Sequence, residues 1–209
     1  MTERCRNTYH VAVIGAGIGG LSAAHTLAGQ GLNIVLIDEN PHMGGQFLRQ
    51  PFRPDPRDAG GAATGSRSRL LDRIFPDPMV PAGTYLAGAI SAPGSGVDIL
   101  HPAQVLGIFP DRRIWIMAGP AAGPALVQTA RLMEIQAEIL VLATGAREQY
   151  LPFKGWTLPG VMSLGAAQIL MKSHRVLPGA STAIAGTSPL MMALAYDLLT
   201  HRGHVVALA

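Results

Sequence analysis

The stretch VAVIGAGIGGLSAAHTLA, residues 11–28, constrains the fold of this chain more than any other part of the sequence. Its apolar beginning predicts a buried strand, and the residues that follow predict a helix closed by Gly31. Gly15, Gly17 and Gly20 lie at the junction, with the G-x-G-x-x-G spacing of a dinucleotide-binding turn. In such a turn the first glycine permits the tight bend, the second lets a pyrophosphate approach the backbone, and the third brings the helix against the sheet.

An acidic residue follows at the distance that this kind of turn requires. The apolar run LNIVLIDE predicts a second buried strand that ends at Asp38, eighteen residues after Gly20. A carboxylate in this position can accept hydrogen bonds from both hydroxyls of an adenosine ribose, and it repels a 2′-phosphate. Replacing Asp38 with alanine is therefore expected to weaken nucleotide binding with little change in folding. Glu39 is a weaker candidate for the same contact.

The chain beyond these strands predicts a mixed set of elements. Residues 40–69 are rich in Gly, Pro and Arg and predict a long surface loop, followed by a short helix over 68–75. Between Gly83 and Arg131, the short segments VDIL, AQVLGIF, RRIWIMAG and ALVQTAR predict a small antiparallel meander. The segment AEILVLATG then predicts a fully buried strand that ends in a turn of small residues at 143–145.

A second strand-to-helix turn lies in AIAGTSPLMM, residues 183–192. The runs STAIAG, PLMMALAYDLL and HVVALA predict a strand, a helix and a strand around it. Only Gly186 of the fingerprint is present, because Ser188 and Met191 occupy the positions of the second and third glycines. Ser188 removes the close backbone approach and Met191 is expected to push the helix from the sheet, so NAD(P) binding is disfavoured here. A hydrolase elbow, G-x-S-x-G, is disfavoured as well, because Leu190 replaces its last glycine.

Charge and cysteine content exclude other classes of function. The chain has 16 Lys and Arg against 13 Asp and Glu, and the basic residues between Arg49 and Arg73 lack the interleaved aromatics of a nucleic-acid surface. The single cysteine, Cys5, provides neither a disulfide nor the paired thiols of a disulfide reductase. No run approaches 18 uninterrupted apolar residues, so no transmembrane segment is predicted. His201 and His204 have no carboxylate or thiol cluster beside them, so no metal site is predicted.

Several motifs together resemble the two-dinucleotide-binding-domain flavoproteins: the G-x-G-x-x-G turn with its acidic residue, the paired Gly44 and Gly45, and the A-T-G turn at 143–145. Two longer stretches, GGQFLRQP and LATGAREQYLPFKGWTLPGVMSLGAAQILMKS, narrow the resemblance. They are similar to the FAD-containing subunit of heteromeric amine and amino-acid dehydrogenases, namely hydrogen cyanide synthase, opine oxidases and dye-linked proline dehydrogenases. The resemblance covers almost the whole chain.

This resemblance implies FAD as the cofactor and an α/β architecture. A Rossmann-like FAD-binding domain with a parallel sheet and a small antiparallel β-meander is expected over 1–158. A connecting helix and the first βαβ unit of an incomplete NAD(P)-like domain are expected over 159–209. Arg49 is a further candidate near the cofactor, although a solvated loop fits it and its neighbour Gln46 equally well. The implied FAD contacts are Gly15, Ala16, Gly17, Gly20, Asp38, Glu39, Gly44, Gly45, Gln46, Ala143, Thr144 and Gly145.

The resemblance also implies a function. In that family the FAD-containing subunit works beside a second flavoprotein that oxidises a C–N bond, and it passes the electrons onward. An iron–sulfur protein is a further partner. We therefore expect an FAD-dependent oxidoreductase subunit for a small amine or amino acid, in the cytoplasm, where partners could attach it to the inner membrane face. No side chain is an evident catalytic acid or base. The alternative is a non-catalytic nucleotide-binding or scaffolding subunit that needs a partner chain. Because the family's chain continues to a Gly-Asp turn beside the flavin, the sequence resembles its N-terminal portion.

Overall fold

The computed structural model describes the chain in three parts, residues 7–49, 79–119 and 130–209. These residues form two compact units, one that ends at Ala146 and one that begins at Arg147. The predicted loop over 40–69 lies mostly outside the described residues, and the predicted helix over 68–75 lies wholly outside them. The predicted domain division at residue 158 stays a prediction.

The first unit has a mixed, mostly parallel sheet. Its elements are, in chain order, β1 (Thr8–Ile14), α1 (Ile18–Leu27), β2 (Ile34–Ile37), α2 (Met79–Ile90), β3 (Val97–Leu100), β4 (Ala103–Ile108), β5 (Arg113–Ala118) and β6 (Arg131–Leu142). The strands lie in the order β3-β2-β1-β6-β5-β4. The first four are parallel to one another, whereas β5 is antiparallel to both β6 and β4. This arrangement confirms the predicted α/β class, Rossmann-like with a small antiparallel meander.

Alternating side chains of β1 and β2 build an apolar layer on each face of the parallel strands. On one face the strands pack with α1 and α2, and this layer contains Val11, Val13, Leu21, Ala24, Ile34, Leu36 and Ile90. On the other face they pack with the meander, and this layer contains Ala12, Ile14, Val35, Ile37, Ile114, Ile116 and Ile135. Near-continuous apolar runs are what strands buried on both faces require. The two predicted buried strands are therefore confirmed.

The structure corrects two predictions for residues 83–131. Residues 79–90 form α2 instead of part of a meander, because packing of Ile90 in the core outweighs the weak helical signal of a glycine-containing segment. The segment VDIL forms β3, which pairs in parallel with β2 and does not belong to the meander. A parallel connection needs a long crossover, and α2 supplies it.

The strand β6 takes part in both the meander and the parallel sheet. Residues 131–136 pair with β5, and residues 136–142 pair with β1. Most of the predicted segment ALVQTAR lies outside the described residues. The prediction that the strand is fully buried is wrong, because Ile139 and Leu142 are 57% and 66% exposed. Their exposure arises because β5 stops pairing at Gln136, so the end of β6 has a described neighbour strand on one side only.

The helix α1 is shorter than its sequence pattern predicts. It ends at Leu27 instead of running to Gly31, and Ala28 at its C-terminal boundary has an extended backbone. Gly29 and Gly31 both have positive φ angles, +75° and +74°. Two left-handed glycines in close succession turn the chain out of the helix and into β2, which is a conformation that residues with a Cβ adopt only at a cost.

The second unit contains a single parallel βαβ arrangement. Its elements are α3 (Leu164–Ile169), one π-helical turn (Leu170–His174), β7 (Ser181–Ile184), α4 (Leu190–Thr200) and β8 (His204–Leu208). β7 and β8 pair in parallel, as the sequence predicts. Their core with the helices contains Ala167, Met171, Ile184, Met191, Leu194, Ala195 and Leu198. Within the described residues, no helix has the length and apolar character needed to cross a bilayer.

The helix α4 is apolar on two of its faces. The sequence predicts one broad apolar surface made of Met192, Leu194, Ala195, Leu198 and Leu199. The structure buries the middle three of these residues in the core, together with Met191. Met192 and Leu199 are exposed, and Tyr196 between them is exposed as well. Because the three exposed residues follow at intervals of four and three, they form a second stripe along the helix.

The last turn of α4 ends with an arginine where glycine is the usual residue. Arg202 has a φ of +63°, and the N–H of Gly203 donates to the carbonyl of Leu198 at 2.7 Å, as in a Schellman cap. A left-handed backbone costs a residue with a Cβ roughly 1 kcal/mol relative to glycine. Arg202→Gly is therefore expected to raise the free energy of unfolding by roughly 0.5–1 kcal/mol, and Arg202→Ala is not. Thermal unfolding followed by circular dichroism measures the difference, and a loss of stability in Arg202→Gly would contradict this explanation.

Candidate dinucleotide-binding site

The carboxyl ends of β1, β2 and β6 meet at one edge of the parallel sheet. The N–H of Gly15 donates to the last carbonyl of β2 at 2.7 Å, and the N–H of Ala143 donates to the last carbonyl of β1 at 2.8 Å. Gly44 donates to the carbonyl of Ala16 at 2.8 Å, which ties the paired-glycine loop to the same turn. Ligands of open α/β sheets bind at this edge. The structure therefore brings together four segments that the sequence singles out: residues 15–20, 38–39, 44–46 and 143–145.

Two glycines of the turn are required by the protein's own backbone. Gly15 has a φ of +103°, and a Cβ there would overlap the carbonyl oxygen of Ala143. A Cβ on Gly20 would overlap the carbonyl oxygen of Gly15 and would lie 3.4 Å from the Cβ of Ala143. The start of α1 consequently packs directly on the turn and on the end of β6. Glycine at these two positions is explained by folding alone.

Gly17 differs from these two glycines because the protein itself leaves room for a side chain there. Its φ and ψ of −73° and −172° are open to any residue. Within the described part of the chain, a Cβ on Gly17 would have one heavy atom within 4 Å, the Cα of Gly45 at 3.9 Å. Gly45 in turn has a φ of +59°, and a Cβ on it would come within 2.8 Å of the Cα of Gly17. The two backbones therefore approach each other closely and leave an open cradle above Gly17.

The amino end of α1 presents donors to this cradle. Gly17 is the N-cap residue, it provides no side-chain cap, and the first turn contains no acidic residue. The first N–H groups of a helix have no intrahelical acceptor, and the helix dipole adds a partial positive charge. A phosphate group satisfies both features. The open space at Gly17 and the uncapped helix thus fit the pyrophosphate of a dinucleotide.

Asp38 holds the turn together as well as facing the site. Its carboxylate is 9% exposed, and Oδ2 accepts the N–H of Ala16 at 2.5 Å. Oδ1 accepts the backbone N–H of Asn40 at 2.8 Å and the Nδ2 of Asn40 at 2.9 Å. Each carboxylate oxygen has two lone pairs, so Oδ2 keeps the capacity to accept a ribose hydroxyl. Sequence reasoning did not single out Asn40, although an Asp two residues before an Asn is a signal for such a local turn.

The remaining predicted contacts line the same edge. The Nε2 of Gln46 donates to the carbonyl of Ala146 at 3.2 Å, so it links the paired-glycine loop to the end of β6. Thr144 and Gly145 are exposed, and no described residue has an atom within 4 Å of a Cβ built on Gly145. Glu39, the residue after Asp38, is exposed. The roles of all these residues toward a cofactor stay predictions.

Arg49 lies close enough to Asp38 for the two charges to interact. Burial lowers the pKa of the Arg49 guanidinium, and the negative charge of Asp38 acts in the opposite direction. Burial also lowers the pKa of His42, and the neighbouring His101 lowers it further by charge repulsion. The Nδ1 of His101 lies 3.0 Å from the carbonyl of Pro41. The segment after β2 is thus held against the end of β3, and the neutral form of His42 is favoured.

The second strand-to-helix turn is filled by its own side chains. Met191 is buried, and its sulfur would lie 3.2 Å from a Cβ built on Gly186. The Oγ of Ser188 accepts the N–H of Leu190 at 3.2 Å. Both side chains occupy positions where the fingerprint has glycines. The expectation that NAD(P) does not bind here stays a prediction.

Comparison with known proteins identifies relatives over nearly the whole chain. The family described as Pyridine nucleotide-disulphide oxidoreductase matches residues 9–206. An opine oxidase subunit of Agrobacterium tumefaciens is 35% identical over 191 residues, which are 91% of this chain and 34% of that protein. The hydrogen cyanide synthase subunit HcnB of Pseudomonas aeruginosa is 35% identical over 188 residues, which are 89% of this chain and 35% of that protein. The chain spans about a third of the length of these curated relatives.

A solved structure has the same fold. L-proline dehydrogenase from P. horikoshii superposes with a TM-score of 0.69 and 23% sequence identity, over 96% of this chain and 35% of that chain. The similarity to the opine oxidase and hydrogen cyanide synthase subunits confirms the resemblance noted from GGQFLRQP and LPFKGWTLPGVM. The structural likeness supports the Rossmann-like fold of the first unit.

Proposed function

We propose, from the premise that this chain belongs to the pyridine nucleotide-disulphide oxidoreductase family, that it forms the FAD-binding part of an oxidoreductase subunit. One observation carries the proposal: Gly17 leaves an open cradle at the uncapped amino end of α1, and the carboxylate of Asp38 lies beside it. A pyrophosphate and a ribose need this combination of donors and acceptor.

The chain's own residues would hold the two halves of the cofactor differently. The N–H groups at the start of α1 donate to the pyrophosphate, and the Oδ2 of Asp38 accepts from the ribose. The paired glycine and residues 143–145 keep the backbone close to the rest of the ligand, since Gly45 packs against Gly17 and Gly145 is open to solvent. FAD, when bound, supplies the two-electron acceptor chemistry that the protein side chains lack.

The relatives support a proposal for the substrate class and the partners. The opine oxidase and hydrogen cyanide synthase proteins are by name subunits, so each belongs to an assembly. We extend this to the present chain: it works beside a second flavoprotein subunit, with an iron–sulfur protein as a further partner, in oxidising the C–N bond of a small amine or amino acid. The alternative is a non-catalytic nucleotide-binding or scaffolding subunit.

Colour and nucleotide preference separate these two functions. If the proposal is correct, the purified chain binds FAD in a one-to-one ratio with an oxidised-flavin spectrum, and dithionite bleaches that spectrum. Titration calorimetry with FAD, ADP and NAD⁺ gives the order of affinity. A colourless chain that binds ADP as tightly as FAD would favour the scaffolding function. A chain that binds neither nucleotide would contradict both functions.

Asp38 is expected to act on folding as well as on binding, which revises the expectation of little change in folding. Asp38→Ala removes the acceptors of Ala16 N–H and of Asn40. A buried donor without an acceptor costs roughly 1–3 kcal/mol, and loss of the ribose contact should weaken FAD binding by a similar amount. Asp38→Asn keeps an oxygen acceptor and should lose less stability. Urea unfolding without FAD measures the first effect and calorimetry the second; unchanged FAD affinity would move the ribose contact elsewhere.

A further inference from the structure

A second concave site lies at the amino edge of the sheet, away from the candidate dinucleotide site. This site is an open cleft of ≈ 250 Å³. It is lined by the first residues of β1, the residue before β2, the turn between β4 and β5, and the middle of β6. Its polar lining includes His10, Asn33, Arg112, Gln136 and Glu138. A cleft of this size is smaller than the roughly 300–1,000 Å³ of pockets for larger ligands, so it suits a small molecule.

Arg112 reaches this cleft from a strained backbone. It has a φ of +62° in the β4–β5 turn, where its N–H donates to the carbonyl of Phe109 at 2.8 Å. Glycine is the residue that takes this conformation without cost. Its neighbour Arg113 is paired with Asp111 at 2.5 Å, whereas no described side chain pairs with the Arg112 guanidinium. A strained residue that presents a charged group to a cleft is a candidate for ligand binding.

His10 adds a hydrogen-bond donor to the lining of the cleft. The Nδ1 of His10 accepts the backbone N–H of Asn33 at 2.9 Å. Nδ1 is therefore unprotonated, and the ring proton lies on Nε2, which is available as a donor. The backbone N–H of His10 also donates to the carbonyl of Asn33 at 2.9 Å. The backbone and the imidazole of His10 are therefore both hydrogen-bonded to Asn33, which fixes the orientation of the ring.

Glu138 adds a negative charge to the lining of the cleft. Tyr9 pairs with Ala137 in the β1–β6 register, so the next residue of β1, His10, is level with Glu138. The N–H of Ala137 donates to the carbonyl of Arg112 at 3.3 Å, which brings the β4–β5 turn beside the same point of β6. Glu138 is exposed, and the described residues offer no hydrogen bond or ion pair to its carboxylate. The cleft therefore combines a cation, an anion and a neutral donor.

We propose that this cleft binds a small zwitterion of the α-amino-acid class, with the ligand carboxylate on Arg112 and His10 and its ammonium group on Glu138. A guanidinium binds a carboxylate through two parallel hydrogen bonds, and a carboxylate binds an ammonium group by charge-assisted hydrogen bonds. A simple anion would meet the repulsion of Glu138, and a simple cation would meet that of Arg112. The proposal is independent of cofactor binding.

Three probes separate the parts of this recognition. The ¹⁵N-labelled chain is titrated with glycine, acetate and methylammonium, and the backbone amide shifts of Asn33 and Ala137 are followed. Glycine is expected to bind at least about tenfold more tightly than either of the other two, because only glycine satisfies both charges. Glycine that binds no better than acetate, or that leaves these amides unchanged, would overturn the proposal.

Matched variants assign the contacts. Arg112→Gly relieves the backbone strain and removes the guanidinium, so the protein should become more stable while glycine and acetate binding weaken at least about tenfold. Glu138→Gln should weaken glycine binding and leave acetate binding unchanged or stronger. Arg113→Gln, at the adjacent arginine that is paired with Asp111, is the control and should bind glycine as the unmodified chain does. Equal glycine affinity in Arg112→Gly and Arg113→Gln would contradict the assignment.

Discussion

Replacing Gly20 with alanine is expected to destabilise the first unit by roughly 3 kcal/mol or more, at the upper end of overpacking effects. The added Cβ would overlap the carbonyl oxygen of Gly15, which is backbone and cannot move without displacing the turn. Gly15 cannot yield because its own position is set by the carbonyl of Ala143 and by a φ of +103°. The start of α1 would therefore have to leave the sheet. Urea unfolding followed by far-ultraviolet circular dichroism measures the loss.

Gly19 provides the matched control one residue earlier on the same helix. A Cβ on Gly19 would lie 4.0 Å from the Cβ of Ala143, which is an ordinary contact. Alanine also has a higher helix propensity than glycine by roughly 0.8–1 kcal/mol, so Gly19→Ala should be neutral or stabilising. If Gly19→Ala and Gly20→Ala were equally destabilised, helix packing on Gly15 would not explain the third glycine of the turn.

The two glycines illustrate what the sequence can and cannot predict about this site. The spacing of the fingerprint indicates that residue 20 must be small, because the helix has to pack closely. It does not indicate that the atoms in the way belong to Gly15 and Ala143, since the second of these is 123 residues away in the sequence. The role of Asp38 in binding Ala16 is hidden for the same reason, because the contact is tertiary.

Some elements of the fold can likewise be predicted from the sequence, and others cannot. β1, α1 and β2 follow from local apolar periodicity, and the structure contains all three, although α1 ends at Leu27. The direction of β3 and the identity of α2 do not follow, because pairing direction depends on the crossover and not on the four residues of the strand, VDIL. The exposure of Ile139 and Leu142 cannot be predicted from an apolar run either, since burial depends on which strands lie alongside.

Gly17→Val is expected to abolish cofactor binding while leaving the fold intact, in contrast to Gly20→Ala. The backbone at residue 17 is extended, which β-branched side chains accept readily, and among the described residues the one atom within 4 Å of a Cβ there is the Cα of Gly45 at 3.9 Å. Loss of a glycine at a helix N-cap should cost no more than about 1 kcal/mol of stability. Among the described residues nothing requires glycine at this position, so we expect the requirement to come from a ligand.

The affinity of Gly17→Val for FAD should fall at least about 100-fold, which corresponds to about 2.8 kcal/mol, because the side chain would fill the cradle in front of the α1 amides. Gly17→Ala should show a smaller loss, in proportion to the smaller volume. Gly88→Val is the matched control: no atom of the residues that the structure describes lies within 4 Å of a Cβ at this position of α2, so FAD affinity should not change. Calorimetric titration of each folded variant gives the affinities. Unchanged FAD binding by Gly17→Val would show that the pyrophosphate does not lie on this turn, whatever the stability of the variant.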